Sequence, residues 1–340
     1  MSIELELNAA KARYTLLVPL IFVAGLIAYK WNAALAAIQK VWASGTISTR
    51  TDVISFGGAA GWSVAERSLN YFVVIWPALV FGILISAAVK AFVPADWFVR
   101  PLRGKPLRAQ FMSAAAGAPL MLCSCCVASV FTAVYERSAR LAPSLAVMLA
   151  SPALNPAALV LTFMLFAPKV AAARLLMAAP AVLFSGIVIE WLFPDNILEH
   201  LSSAKHRAEE PRFLHSLFDV VIRTIPALIL GVICSMLLIE YVPRELLASA
   251  NFRLFAVIAT ASIAVPIALP TFFEIPLALG LLVAGAPVGA AAAVLFAGPV
   301  INLPSLLALA RSTNWKIATT LAVLIWIIAV FGGLILNQLA

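Results

Sequence analysis

Three of the four cysteines in this chain stand within four positions of one another: Cys123, Cys125 and Cys126 in PLMLCSCCVASV (119–130). Cys234 stands alone in VICSML, where a buried thiol serves as a small hydrophobe. A cluster can do more, because thiolates are soft ligands that select thiophilic ions and metalloids. On a continuous helix Cys123 and Cys126 share a face, three residues apart. If Pro119 leaves the backbone extended, Cys123 and Cys125 point the same way instead. Either geometry yields a thiol pair, and simple packing is the competing reading. No structural zinc centre or other metal site is expected: there is no second C-x-x-C, and the histidines fall in or near residues 194–216. A disulfide between such near neighbours would be strained.

Two further stretches carry polar residues where apolar ones are the rule. SPALNP (151–156) puts Asn155 before a proline, and GPVINLP (298–304) places Asn302 similarly. Proline inside a helix removes a backbone hydrogen bond. In lipid the freed carbonyls need protein or a water-filled cavity. Broken helices at matching places in two halves of a chain are the sequence mark of a transporter's central site. Glu274, in PTFFEIP (270–276), is the acid set deepest in an apolar run, near Thr271. A carboxyl at that depth faces a cavity or a partner, and Glu274 is the candidate for proton coupling. A structural tie to an arginine or to backbone is the alternative. Glu190, Glu240 and Arg223 stand near segment ends and read as interfacial anchors.

The elements that must hold these residues follow from composition. The 340 residues are 64% hydrophobic and 11% charged, with mean hydropathy +1.05, against about 25% charged in soluble domains. So few charges cannot cover a water-facing surface, and lipid demands helices or a closed barrel. Apolar runs without strict alternation favour helices. Nine segments are predicted, at about 14–37, 70–92, 110–134, 142–166, 171–193, 217–241, 254–283, 287–310 and 316–337, each near the roughly 20 residues that span a bilayer. The expected fold is an all-α polytopic membrane bundle, a single integral domain over 1–340, and its first helix reads as uncleaved rather than as a signal peptide.

The net charge of +8 is spread singly or in small groups between apolar segments, so it is a topology signal and not a nucleic-acid footprint. Arg100, Arg103, Lys105 and Arg108 mark one connection as cytoplasmic. Counting nine crossings also puts Lys11, Arg13, Lys169, Arg174, Arg244, Arg253, Arg311 and Lys316 inside. It leaves Arg137, Arg140, Lys205, Arg207 and Arg212 outside, against the rule.

The chain also matches itself. WPALVFG (76–82) aligns with IPALILG (225–231), pairing Pro77 with Pro226 and Gly82 with Gly231; Pro94 pairs with Pro243 at the same offset. Two residues off that register, Pro119 pairs with Pro266, Ser124 with Thr271, Pro152 with Pro299 and Asn155 with Asn302. The expectation is an extra N-terminal helix (14–37) followed by two repeats, 69–193 and 215–337, of about four segments each. Four crossings per repeat would make the halves parallel; one re-entrant segment in each would make them inverted. The substrate-binding candidates are then Cys123, Ser124, Cys125, Cys126, Asn155, Thr271 and Asn302. No phosphate-binding loop, Ser–His–Asp set or intramembrane protease motif occurs, so neither ATP hydrolysis nor another enzymatic activity is expected. Transport of a small molecule or metalloid is what remains, with lipid as the surrounding partner and room for a homo-oligomer. A non-transporting scaffold is the reading from another class.

LCSC (122–125), SPALNP, and PTFFEIPLALGLLVAGAPVGAAAAVLFAGPVINLPSL (270–306) resemble the YraQ/ArsP-type predicted permease family, over roughly residues 69–335. The resemblance implies a permease of the bacterial inner membrane without a cofactor. Some members export trivalent organoarsenicals such as methylarsenite through the cysteine pair of the C-S-C motif, which by position is Cys123 and Cys125. Cys126-Val127-Ala128 replaces an expected small residue and proline, and Pro119 stands earlier than the family's proline. These departures leave the permease reading intact and the cargo open, another small metabolite or sulfur compound being the alternative.

Overall fold

The computed structural model describes residues 2–45, 63–92, 106–138, 140–194, 213–241, 253–269, 272–283 and 285–339. Among them there are helices and short connections and no strand. In chain order these are α1 (Ser2–Ser44), α2 (Val64–Phe92), α3 (Pro106–Gly117), α4 (Ser124–Ser138), α5 (Leu141–Ala153), α6 (Pro156–Leu165) and α7 (Pro168–Leu192). The second half follows with α8 (Phe213–Tyr241), α9 (Arg253–Ala264), α10 (Glu274–Val283), α11 (Val288–Val300), α12 (Leu303–Ser312) and α13 (Trp315–Leu339). The helices that follow α1 recur in one order of lengths: 29, 12, 15, 13, 10 and 25 residues, then 29, 12, 10, 13, 10 and 25.

The expected helical bundle is present, but the described residues hold fewer crossings than the apolar segments suggest. Six units are long and apolar enough to traverse a bilayer, and the pair α11–α12, bent by 41°, makes a seventh. The segments expected at 110–134 and 254–283 account for the difference, since each is two short α-helices either side of a break, the first containing a 3-10 turn at Ala118–Leu120.

Side-chain neighbours show which way those helices run. Gly186 of α7 lies against both Ala142 at the start of α5 and Gln110 early in α3. Gly117, at the end of α3, meets Val147 farther along α5, and Leu122 N–H donates to Ser151 Oγ farther still, at 2.9 Å. The chain then returns, for Ser138 at the end of α4 bonds Ser144 near the start of α5 at 3.2 Å. So α3 runs with α5 and α4 runs against it, and the unit enters and leaves at one end. At 12 and 15 residues the two arms reach about 18 and 22 Å, short of the roughly 30 Å hydrocarbon core. The α9–α10 unit behaves alike: Val257 of α9 and Gly289 of α11 both touch Gly333, Pro266 meets Leu303 beyond the end of α11, and α10 finishes just before α11 begins.

The core sits around α11, which is buried from Gly289 to Val300. Its run of small residues, Gly289 and Ala290–Ala293, lets α5, α7, α9, α10 and α13 pack on it. Two glycines set close approaches elsewhere. A Cβ on Gly82 would lie 2.9 Å from the Cys126 carbonyl oxygen, and one on Gly231 would lie 2.6 Å from Pro304 Cα. Hydrogen alone at these positions lets α2 meet α4 and α8 meet α12. Exposed apolar side chains such as Leu20, Val73, Phe163, Leu176, Phe218 and Phe331 face the lipid that the composition demands. Trp42, Trp191 and Trp315, exposed near helix ends, suit the interfacial belt.

Candidate functional site

Four helix breaks meet in the interior, and asparagine and serine side chains satisfy the backbone there. Asn155 is the N-cap of α6: its Oδ1 accepts from the N–H groups of Ala157 at 3.1 Å and Ala158 at 3.2 Å. Asn302 caps α12 by accepting from Ser305 N–H at 3.0 Å, while Ser305 Oγ accepts from Asn302 N–H at 3.0 Å. These reciprocal bonds form a capping box. Proline in the first turn of each half-helix costs no bond, because that N–H has no helical partner. The Asn–Pro spacing is thus a device for starting a helix inside a membrane. Ser151 ties the α3–α4 break to α5 by receiving Leu122 N–H and donating to Leu122 C=O at 3.4 Å.

Cys123 is the last residue before α4, and its carbonyl accepts from the N–H groups of Cys126 and Val127. This position reconciles the two geometries open from sequence, since both pairs form. Cys123 Sγ lies 3.1 Å from Cys125 Sγ and 3.0 Å from Cys126 Sγ, and the latter two sulfurs are 3.9 Å apart. All three are free thiols and buried. Tyr71, from α2, sets its hydroxyl 3.3 Å from Cys125 Sγ. The sulfurs gather at the first turn of α4, where unpaired N–H groups and the helix dipole favour negative charge.

Glu274 opens α10 and is ion-paired: Arg174 Nη2 donates to Glu274 Oε1 at 2.9 Å, with both side chains 1% exposed. Arg174 Nη1 donates to Thr162 Oγ1 at 2.7 Å, so α6, α7 and α10 are joined through one guanidinium. Glu274 Oε2 has no partner among the described residues. Arg174 therefore belongs to the interior and is not the connection charge that its sequence position beside Lys169 suggests. Lys169 is exposed and donates to Leu339 C=O at 2.8 Å.

A cavity of about 10 Å³, room for roughly one water molecule, joins these parts. Leu122, Cys123, Pro152, Asn155, Leu269, Glu274 and Pro299 line it. Three expected site residues, Cys123, Asn155 and Glu274, thus share one space, with the paired prolines Pro152 and Pro299 on its wall. Cys125 and Cys126 stand behind Cys123. Asn302 is buried beside the break after Pro299, and Ser124 is buried too; among the described residues Asn302 Nδ2 and Ser124 Oγ have no partner. Neither is among the lining residues. Thr271 lies outside the described residues.

A second, more polar cavity of about 20 Å³ lies between α2, α4, α8 and α12, lined in part by Lys90, Ser129, Thr132, Thr224, Arg311 and Ser312. Lys90 Nζ bridges Glu136 at 2.9 Å and Asp219 at 3.1 Å, and Thr132 bonds Ser312 at 2.9 Å. Because α4 carries Cys123 just before its first turn and Glu136 in its last, one helix connects the thiols to this cavity. Sequence reasoning missed Tyr71, Thr162 and the Lys90 network, whose partners stand far off in the chain. Glu190, expected as an anchor, accepts from Ala142 N–H at 2.8 Å and so caps α5. The side chains of Arg223 and Glu240 lie outside the described set.

A family model described as a predicted permease matches residues 66–338. The UPF0718 protein YraQ of Escherichia coli (strain K12) is 25% identical over 303 residues, covering 86% of each chain. The UPF0718 protein MJ0584 of Methanocaldococcus jannaschii is 24% identical over 90 residues, covering 26% of this chain and 25% of that protein. No solved structure matches.

Proposed function

The chain belongs to the predicted permease family, and on that premise we propose that this integral membrane transporter exports a soft, thiophilic cargo such as a trivalent arsenical across a bacterial inner membrane. The carrying observation is that Cys123 lines one buried cavity together with Asn155 and Glu274, at the meeting point of broken helices. Cargo bonds transiently to Cys123 and Cys125, and the caps Asn155 and Asn302 hold the half-helices open around it. Ser124 follows the break before α4, and Thr271 is its counterpart in the sequence repeat. Glu274 is the proton-coupling group and works through its partner. Protonating it strands the buried Arg174, so a proton at Glu274 favours movement of α10 away from α7.

The matching element lengths and the two re-entrant units support an inverted duplication, 69–193 against 215–337, with three crossings each. That parity also lessens the charge conflict, from five misplaced basic residues to three. With α3–α4 re-entrant, Arg137, Arg140, Lys205, Arg207 and Arg212 come to the same side as Arg100, Arg103, Lys105 and Arg108, the cytoplasmic side by the basic-residue rule. Lys169, Arg244 and Arg253 move to the other.

The test is the pair of substitutions Cys123→Ser and Cys125→Ser in an arsenic-sensitive host. The double variant is expected to lose resistance to methylarsenite while inserting into the membrane at wild-type abundance. Unchanged resistance would remove the thiol mechanism, and a transported cargo indifferent to thiol alkylation would point to another small metabolite.

A further inference from the structure

Cys126 extends the thiol pair to a triad, and the shape of that triad restricts what it can hold. The three Sγ atoms lie 3.0, 3.1 and 3.9 Å apart, within reach of one ion. An atom bound to all three at a thiolate distance of about 2.3 Å sits roughly 1.2 Å out of the sulfur plane. A planar three-thiolate ion needs sulfurs about 4.0 Å apart at the same bond length, wider than two of the three separations. The triad therefore suits a pyramidal centre.

Charge selects further. Three thiolates around a monovalent ion leave a net charge of two minus, and around a divalent ion one minus. Either is costly in a buried site unless a cation matches it. Arg174 is already matched by Glu274, Arg67 of α2 is buried with interactions of its own, and Lys30 of α1, half-buried within electrostatic reach of Cys123, offsets at most one charge. A trivalent centre with three thiolates is neutral. We infer that Cys123, Cys125 and Cys126 form a three-thiolate site for a trivalent metalloid that carries no carbon substituent, taken up as its uncharged trihydroxide. The inference rests on the thiol-based transport reading and deepens it by making Cys126 the residue that selects the bare metalloid over its methylated forms.

The exchange balances without an oxidant or reductant. Each thiol proton leaves with one hydroxide as water, three metalloid–oxygen bonds give way to three metalloid–sulfur bonds, and the centre stays trivalent. An organo-substituted centre has two exchangeable oxygens and so occupies two thiols. Cys123, which lines the cavity, meets the incoming centre first; Cys125 and Cys126 complete the set.

The experiment uses the reduced full-length protein in detergent, with arsenite and phenylarsine oxide as separate probes. Arsenic-edge absorption of the arsenite complex is expected to report three sulfur neighbours and no oxygen, with three of four thiols protected from alkylation and Cys234 left reactive. Cys126→Ser and, as a second variant, Cys126→Ala should weaken arsenite binding at least 100-fold and change phenylarsine oxide binding less than threefold. The retained binding doubles as a folding control. An arsenite complex with only two arsenic–sulfur bonds in protein that still binds phenylarsine oxide, or arsenite binding unchanged in both variants, overturns the triad and leaves the two-thiol reading standing. Failure of folded wild-type protein to bind either probe overturns both.

Discussion

At the scale of the residue, the cysteines announce themselves by type and spacing, while the groups that hold them do not. Tyr71 is fully buried with its hydroxyl 3.3 Å from Cys125 Sγ, yet it stands more than fifty positions earlier in an unremarkable apolar run. Nothing local in RSLNYFVV marks that tyrosine as a thiol partner. Arg174 was readable as a charge but not as a buried one, because its position near a predicted segment end looks interfacial; only the fold brings Glu274 to it. Tyr71→Phe keeps the ring and deletes the hydroxyl. The expected cost is about 1 kcal/mol of stability, read by thermal unfolding. Faster alkylation of Cys125 by a membrane-permeant maleimide should accompany it, since the sulfur loses its tether.

At the scale of the element, hydropathy alone cannot separate a helix that crosses from a hairpin that turns back. Residues 110–134 and 254–283 are predominantly apolar, and prolines such as Pro119 and Pro266 resemble Pro77 and Pro226, which lie within continuous helices. The Asn–Pro caps were legible as breaks, because asparagine with a following proline has a specific local purpose. What decided the path of α3 and α4 was tertiary: Gly117 on Val147 and Ser138 on Ser144. The Arg174–Glu274 pair is the charged link between α7 and α10. Removing one partner from a buried pair costs about 3–5 kcal/mol, whereas replacing both by apolar groups can be neutral. Arg174→Met and Glu274→Met should each lower the melting temperature markedly, and the double variant should recover most of the loss. Additive losses in that cycle would show that the two side chains act independently.

At the scale of the whole molecule, composition fixed the solvent and the charge distribution tested the topology. Nine crossings leave five basic residues on the wrong side, and the proposed seven reduce these to three, Lys169, Arg244 and Arg253. On the proposed topology the Lys90 cavity lies at the cytoplasmic end of α4 and the thiols lie toward mid-membrane, so an exported cargo would meet hydroxyls and a bridged lysine before it meets sulfur. If the halves are inverted as proposed, a counterpart route lies between α2, α6, α8 and α10 on the other side. Gly82 and Gly231 set the close α2–α4 and α8–α12 contacts beside the Lys90 cavity.

The pairing of Arg174 with Glu274 also decides how the transporter does electrical work. On the proposed mechanism the loaded leg moves a matched ion pair and a neutral thiolate complex, so the membrane potential neither drives nor opposes it. The empty leg, with Glu274 protonated, returns one unmatched positive charge inward. For a full traverse the inside-negative potential contributes about 2.3 kcal/mol per 100 mV. In proteoliposomes under an imposed potassium diffusion potential, exchange of labelled for unlabelled cargo should be flat with voltage. Net efflux should rise as the side from which cargo leaves is made more negative. Exchange that varies with voltage would mean that the loaded protein crosses the field carrying a net charge.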